Sequence, residues 1–168
     1  MSTAIRDLRA GDSDTRPILA GYDGSTNAET AVFWAADVAE ATGRPLRLLT
    51  SYSLPAMVGI GMSAGYALPA LSSQEVNEID LRHKAMMSEL TLRVKSEFPD
   101  LATETFIDQG APAAALLRAA EDSAAIVIGT RGVGAAQGLI MGSVSYAVAH
   151  RAKCPVVLVP ETSNRAID

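Results

Sequence analysis

Two short runs, Ala125-Ile-Val-Ile128 and Val156-Val-Leu-Val159, constrain this chain most, because both are apolar without interruption. An amphipathic surface strand would alternate; an unbroken run is typical of a parallel strand covered on both faces. Between Pro17 and Pro160 similar short runs trade places with helical periods, the signature of a βαβ series. Residues 18–22, ending at Asp23, read as the first strand. After Gly24-Ser-Thr-Asn27, the apolar positions Ala28, Ala31, Val32, Ala35 and Ala39 keep helical spacing. Thr26 with Glu29 fits a capping box, and Gly43 ends that helix. Residues 45–52 form a second strand. Residues 74–98 form a long second helix with Val76, Ile79, Met86, Leu90 and Val94 on one face, stopped by Pro99. Residues 103–107 alternate polar and apolar, as expected of a third strand nearer a sheet edge. Residues 111–123 read as a short helix with Pro112 in its first turn, and residues 144–151 as the last helix.

The expected architecture is a single α/β domain over residues 17–161: an open five-stranded parallel sheet with helices on both faces. Residues 1–16 and 162–168 are expected as flexible tails. Residues 53–72 make a long apolar connection punctuated by Gly and Pro, unusual in a compact domain unless it has a function. We expect it to form a flap near a ligand or partner surface, with Met57 and Met62 in it.

A chain of 168 residues buries an adequate core without disulfides or metal. No apolar stretch approaches the roughly 18 to 20 residues that cross a bilayer, and the first residues lack the apolar centre of a signal peptide. A soluble, cytoplasmic protein is expected, and the lone Cys154 agrees with a reducing compartment. The net charge of −5 argues against broad nucleic-acid binding, which needs a basic face. Neither His83, on the stripe of the long helix, nor His150 has a metal-like partner at i+3 or i+4. No GxSxG elbow or Ser-His-Asp set suggests nucleophilic catalysis.

The chemistry concentrates in GTRGVGAAQGLIMGS, residues 129–143, between the fourth strand and the last helix. In an open parallel sheet, ligands bind beyond the carboxyl ends of the strands. This loop leaves one such end, and Asp23 stands at another. Gly129 and Gly132 would let backbone N–H groups approach a phosphate, while Gly142, Ser143 and Val144 would offer the amides of a helix N-terminus. The Ser143 hydroxyl and the Arg131 guanidinium would add donors. Spacing alone equally allows the glycines to serve tight turns, Ser143 to cap the helix, and Asp23 to close an Asx turn.

Gly129-x2-Gly132-x9-Gly142-Ser143 resembles the ATP-binding signature of the universal stress protein family. Ala20-Gly-Tyr-Asp-Gly-Ser25 resembles that family's first strand, Gly110-Ala-Pro112 its Gly-x-Pro before the third helix, and Cys154-Pro-Val-Val-Leu-Val159 its closing strand. The resemblance implies a Rossmann-like sheet of order 3-2-1-4-5, of the adenine nucleotide alpha hydrolase-like type. It implies that Asp23 binds the ribose or adenine side, with the Gly21-Tyr22 backbone beside it, and that the Ser51 backbone meets the adenine edge. Gly129, Arg131, Gly132, Gly142, Ser143, Val144 and Ser145 would cradle the phosphates, and Ile128 would line the entrance. The implied ligand is ATP with Mg²⁺, and the implied role is a stress-response regulator that responds to nucleotide and binds a protein partner. Slow ATP hydrolysis at the same site is the alternative. A homodimer is implied through the apolar edge bracketed by Pro155 and Pro160.

Overall fold

In the computed structural model, residues 15–54, 72–133 and 141–161 are described. The expected tails fall outside these residues except for Thr15 and Arg16, as does all of the expected flap but Ser53, Leu54 and Ser72.

The chain enters the sheet through β1 (Ile18–Gly21) and turns into α1 (Thr26–Thr42). Ser25, in extended backbone, caps α1 by accepting from the Ala28 amide. The cap is therefore Ser25 instead of the expected Thr26, without a capping box, and Glu29 meets Arg93 of the next helix through paired hydrogen bonds. Gly43, at φ +65°, closes the helix with its N–H on the Ala39 and Glu40 carbonyls, a left-handed cap that favours glycine.

β2 (Leu46–Tyr52) leads to α2 (Ser73–Glu97), whose capping box is complete. The Ser72 amide donates to Glu75 Oε2 (2.7 Å), and the Glu75 amide donates to Ser72 Oγ (3.2 Å). Its buried residues are Met87, Leu90 and Val94, so Met87 takes the place expected of Met86. β3 (Thr103–Gln109) follows, then α3 (Pro112–Ala119), which tightens into a 3₁₀ turn (Ala120–Asp122) instead of continuing as one helix to residue 123. Ser123 ends it by donating its hydroxyl to the Ala119 carbonyl at 2.7 Å. β4 (Ala125–Gly129), α4 (Ser143–Arg151) and β5 (Val156–Val159) complete the described chain.

The strands lie in the order β3-β2-β1-β4-β5, all parallel. Alternate residues of each strand serve opposite layers. Ile18, Ala20, Leu46, Leu48, Ala125 and Val127 pack with α1 and α2, on Ala31, Val32, Ala35, Met87, Leu90 and Val94. Leu19, Leu49, Ile126 and Ile128 pack with α3 and α4, on Ala115, Leu116 and Val148. Burial on both faces explains the unbroken apolar run of β4, while β5, at the sheet edge, is half-buried except for the buried Val159. Successive strands step outward from β1 to one edge and then restart at β4, so the order reverses between β1 and β4. A crevice opens at that reversal, at the carboxyl ends of both strands.

Candidate functional site

Asp23 lies in the turn that leaves β1. Its Oδ1 accepts from the Ser25 amide (3.0 Å) and hydroxyl (2.6 Å), which makes it an Asx-type turn residue. Its Oδ2 reaches across the crevice and accepts from the Val133 amide at 2.9 Å. One carboxylate thus ties the first βα turn to the glycine loop. A Cβ on Gly132 would lie 2.1 Å from Asp23 Oδ2, so glycine there is required by this contact.

Asn27, in the first turn of α1, performs the matching task. It is 5% exposed. Its Oδ1 accepts from the Arg131 amide at 2.9 Å, and its Nδ2 donates to the Val159 carbonyl at 3.1 Å. A Cβ on Gly129 would stand 2.6 Å from Asn27 Oδ1. The first two glycines of the series therefore admit protein side chains close to the backbone, a reason for glycine beside the phosphate approach that the spacing suggested. Sequence reasoning missed Asn27, which it left in the turn GYDGSTN.

The far end of the loop is built differently. Gly142 is the N-cap of α4, with no side-chain cap, and its amide donates to the Thr130 carbonyl at 2.8 Å. Ser143 is the first helical residue rather than the cap, and its side chain is exposed. The first intrahelical bond runs from the Tyr146 amide to the Gly142 carbonyl, so the amides of Ser143, Val144 and Ser145 form the unpaired first turn. The Ser145 hydroxyl points inward and donates to the Gly129 carbonyl at 2.8 Å, bracing β4 against α4.

These features surround a cavity of about 300 Å³. All twelve residues singled out from the sequence line it: Gly21, Tyr22, Asp23, Ser51, Ile128, Gly129, Arg131, Gly132, Gly142, Ser143, Val144 and Ser145. Leu49, Pro112 and Leu116 add an apolar wall that the sequence did not single out, and Ala28 and Val133 complete the lining. Burial pushes the Tyr22 phenol above its usual range, aided by the carboxylate of Glu29, and keeps it neutral. Arg131 Nε is buried with no hydrogen-bond partner among the described residues, while its terminal nitrogen lies 3.8 Å from Glu161. Asp23 is the one carboxylate among the described lining residues, and both its oxygens are engaged. Among the described residues no group of three His, Cys, Asp or Glu could hold a metal ion, so the protein donors do not make a magnesium cage.

The histidines lie elsewhere. His83 places Nδ1 2.8 Å from the Ile79 carbonyl and packs its ring 4.7 Å from that of Tyr52; His150 stacks on Tyr146. Cys154 is half-buried, and burial pushes its thiol up. No helix among the described residues is long and apolar enough to cross a membrane.

A sequence model of the universal stress protein family matches residues 14–160. This chain belongs to the universal stress protein family. A universal stress protein of Mycolicibacterium smegmatis is 31% identical over 153 residues, which make up 90% of this chain and 50% of that protein. The chain spans about half the length of the curated relatives it matches. The universal stress protein UspA from Lactobacillus plantarum superposes with a TM-score of 0.66 at 22% identity, covering 88% of this chain and 99% of that one. A universal stress protein solved in complex with cAMP gives 0.61 at 25% identity, with 88% and 98% covered. The sheet order 3-2-1-4-5 is that of universal stress proteins.

Proposed function

We propose that this universal stress protein domain binds an adenine nucleotide in the crevice between β1 and β4, and that occupancy adjusts the surface it offers to a partner in a stress response. The base would lie against Leu49, Leu116 and Ile128, near the Ser51 backbone, the ribose beside Asp23, and phosphate at the N-terminus of α4. The cAMP held by a relative of the same fold supports the ligand class. ATP with Mg²⁺ is the species that the glycine signature implies.

The observation that carries this reading is Gly142. Its backbone, at φ −74° and ψ 160°, suits any residue, and a Cβ would find only ordinary contacts, the nearest 3.5 Å away at the Thr130 carbonyl. Gly129 and Gly132 answer to protein contacts, but nothing in the described protein requires glycine at 142. Close approach of an anion to the first-turn amides of α4 supplies the reason.

Calorimetry on the wild type and Gly142→Val, with circular dichroism of both, tests the proposal. The wild type is expected to bind adenine nucleotide, and the folded variant to bind it at least about tenfold more weakly, a loss of about 1.4 kcal/mol. Equal binding by the two would remove the phosphate from the α4 terminus, and no binding by the wild type would end the nucleotide reading.

A further inference from the structure

We infer that nucleotide in the crevice is coupled to the hold on the edge strand β5, with Asn27 as the positioning residue between them, so that the β5 edge is the surface that occupancy adjusts; this rests on the nucleotide reading above. Everything turns on one carbonyl. Val159, the last residue of β5, accepts from the Thr130 amide at 2.9 Å and from Asn27 Nδ2 at 3.1 Å. Both donors are tied to the crevice. The carbonyl of Thr130 holds the Gly142 amide at 2.8 Å and so sets where α4 begins. The other end of the Asn27 amide accepts from the Arg131 amide at 2.9 Å. The end of β5 therefore registers both the start of the glycine loop and the first turn of α4, whose residues Ser143, Val144 and Ser145 line the cavity.

Burial stiffens this relay. Asn27 is 5% exposed and Val159 8%, and an amide left unpaired in such surroundings is costly, so the bonded groups shift together. The strand at the end of the relay is its loose member. β5 is four residues long, pairs with β4 alone among the described strands, and is half-buried up to Val159. A short strand held from one side is where local opening needs least free energy. A phosphate seated at α4 would fix the Gly142 and Thr130 bonds, and through them the end of β5. Linkage is reciprocal, so whatever holds β5 in place raises nucleotide affinity by the same factor. β3, the opposite edge, is joined to β2 along all seven of its residues, with β2 and β1 between it and the crevice, and the bonds of this relay do not reach it.

The test is hydrogen exchange of the full chain, read by mass spectrometry on peptides that span β5 and β3, without ligand and with cyclic AMP or ATP and Mg²⁺ at saturation set by calorimetry. In the wild type, nucleotide is expected to slow exchange in β5 at least about fivefold more than in β3, the lower end of ordinary coupling between sites. Asn27→Asp keeps an acceptor for the Arg131 amide but sets a carboxylate oxygen against the Val159 carbonyl. In that variant, with its fold checked by circular dichroism, the excess protection of β5 is expected to fall below about twofold and nucleotide to bind about fivefold more weakly. Equal slowing of β3 and β5 in the wild type would be global stabilisation; it overturns the coupling, needs no variant, and leaves the nucleotide reading in place. Excess protection undiminished in Asn27→Asp removes Asn27 from the link and overturns its assigned role. Failure of the wild type to bind either ligand overturns the nucleotide reading and the coupling with it.

Discussion

Asn27 is the residue on which the site's geometry turns. A single buried amide holds the loop after β4 and the last carbonyl of β5, which also accepts from the Thr130 amide. Removing it leaves the part-buried Arg131 amide without its acceptor, while the Val159 carbonyl keeps the Thr130 amide; the usual cost of stranding such a group is about 1–3 kcal/mol. Asn27→Ala is therefore expected to lower the free energy of unfolding in urea by that amount while leaving helical circular dichroism intact; a change within error would show that water replaces the side chain. None of this was legible in the sequence. The partners of Asn27 lie 104 and 132 positions away, and no local pattern marks an asparagine that bonds at such range. The same separation hid the reason for Gly129 and Gly132. Spacing identified them through a phosphate reading alone, and could not show the close approach of Asn27 and Asp23 that also calls for glycine.

The elements themselves were legible, because each carries its own period and punctuation. β4 and β5 were read at or within one residue of their observed ends, since packing against both helix layers leaves apolar runs no loop would contain. The misses came where two adjacent residues compete for one role. Ser25 and Thr26 are both good caps, and Glu29 favoured the second on the sequence rule. The long helix decides otherwise: Arg93 draws Glu29 outward and sits with its guanidinium carbon 5.6 Å from the Phe33 ring. Ser25→Ala is expected to cost about 1 kcal/mol in thermal or urea unfolding, and Thr26→Ala only a few tenths. The reverse ranking would restore the capping box. Met86 and Met87 are a similar pair, roughly 100° apart on α2, and only packing against β1 and β2 selects Met87.

At the scale of the whole molecule, the sheet ends in two unlike edges. β3 is seven residues long and largely exposed, and Arg47 of the neighbouring strand bonds its Glu104 and packs over its Phe106 at 5.3 Å. β5 is four residues long and wholly apolar. The carbonyls of Pro155 and Val159 accept from β4, so the two-residue period turns the backbone of Val156 and Leu158 outward. We propose that this edge pairs with a second copy about a two-fold axis, with Pro155 and Pro160 limiting its growth. Val157 and Val159 face the α1 and α2 layer, so charging them would probe the core instead. Val156→Pro removes an outward N–H at the first strand position and keeps the bonds to β4. Sedimentation is expected to show a dimer for the wild type and a shift toward monomer for the variant; a monomeric wild type or an unmoved variant dimer would rule this edge out. The bonds of Asn27 and Asp23 also bear on protein engineering. A chimera that takes its first half, through β2, from one universal stress protein and the remainder from another would part Asn27 from Gly129 and Asp23 from Gly132. Recombination of such domains has to exchange the turn after β1 and the loop after β4 as a matched set, although some hundred residues lie between them.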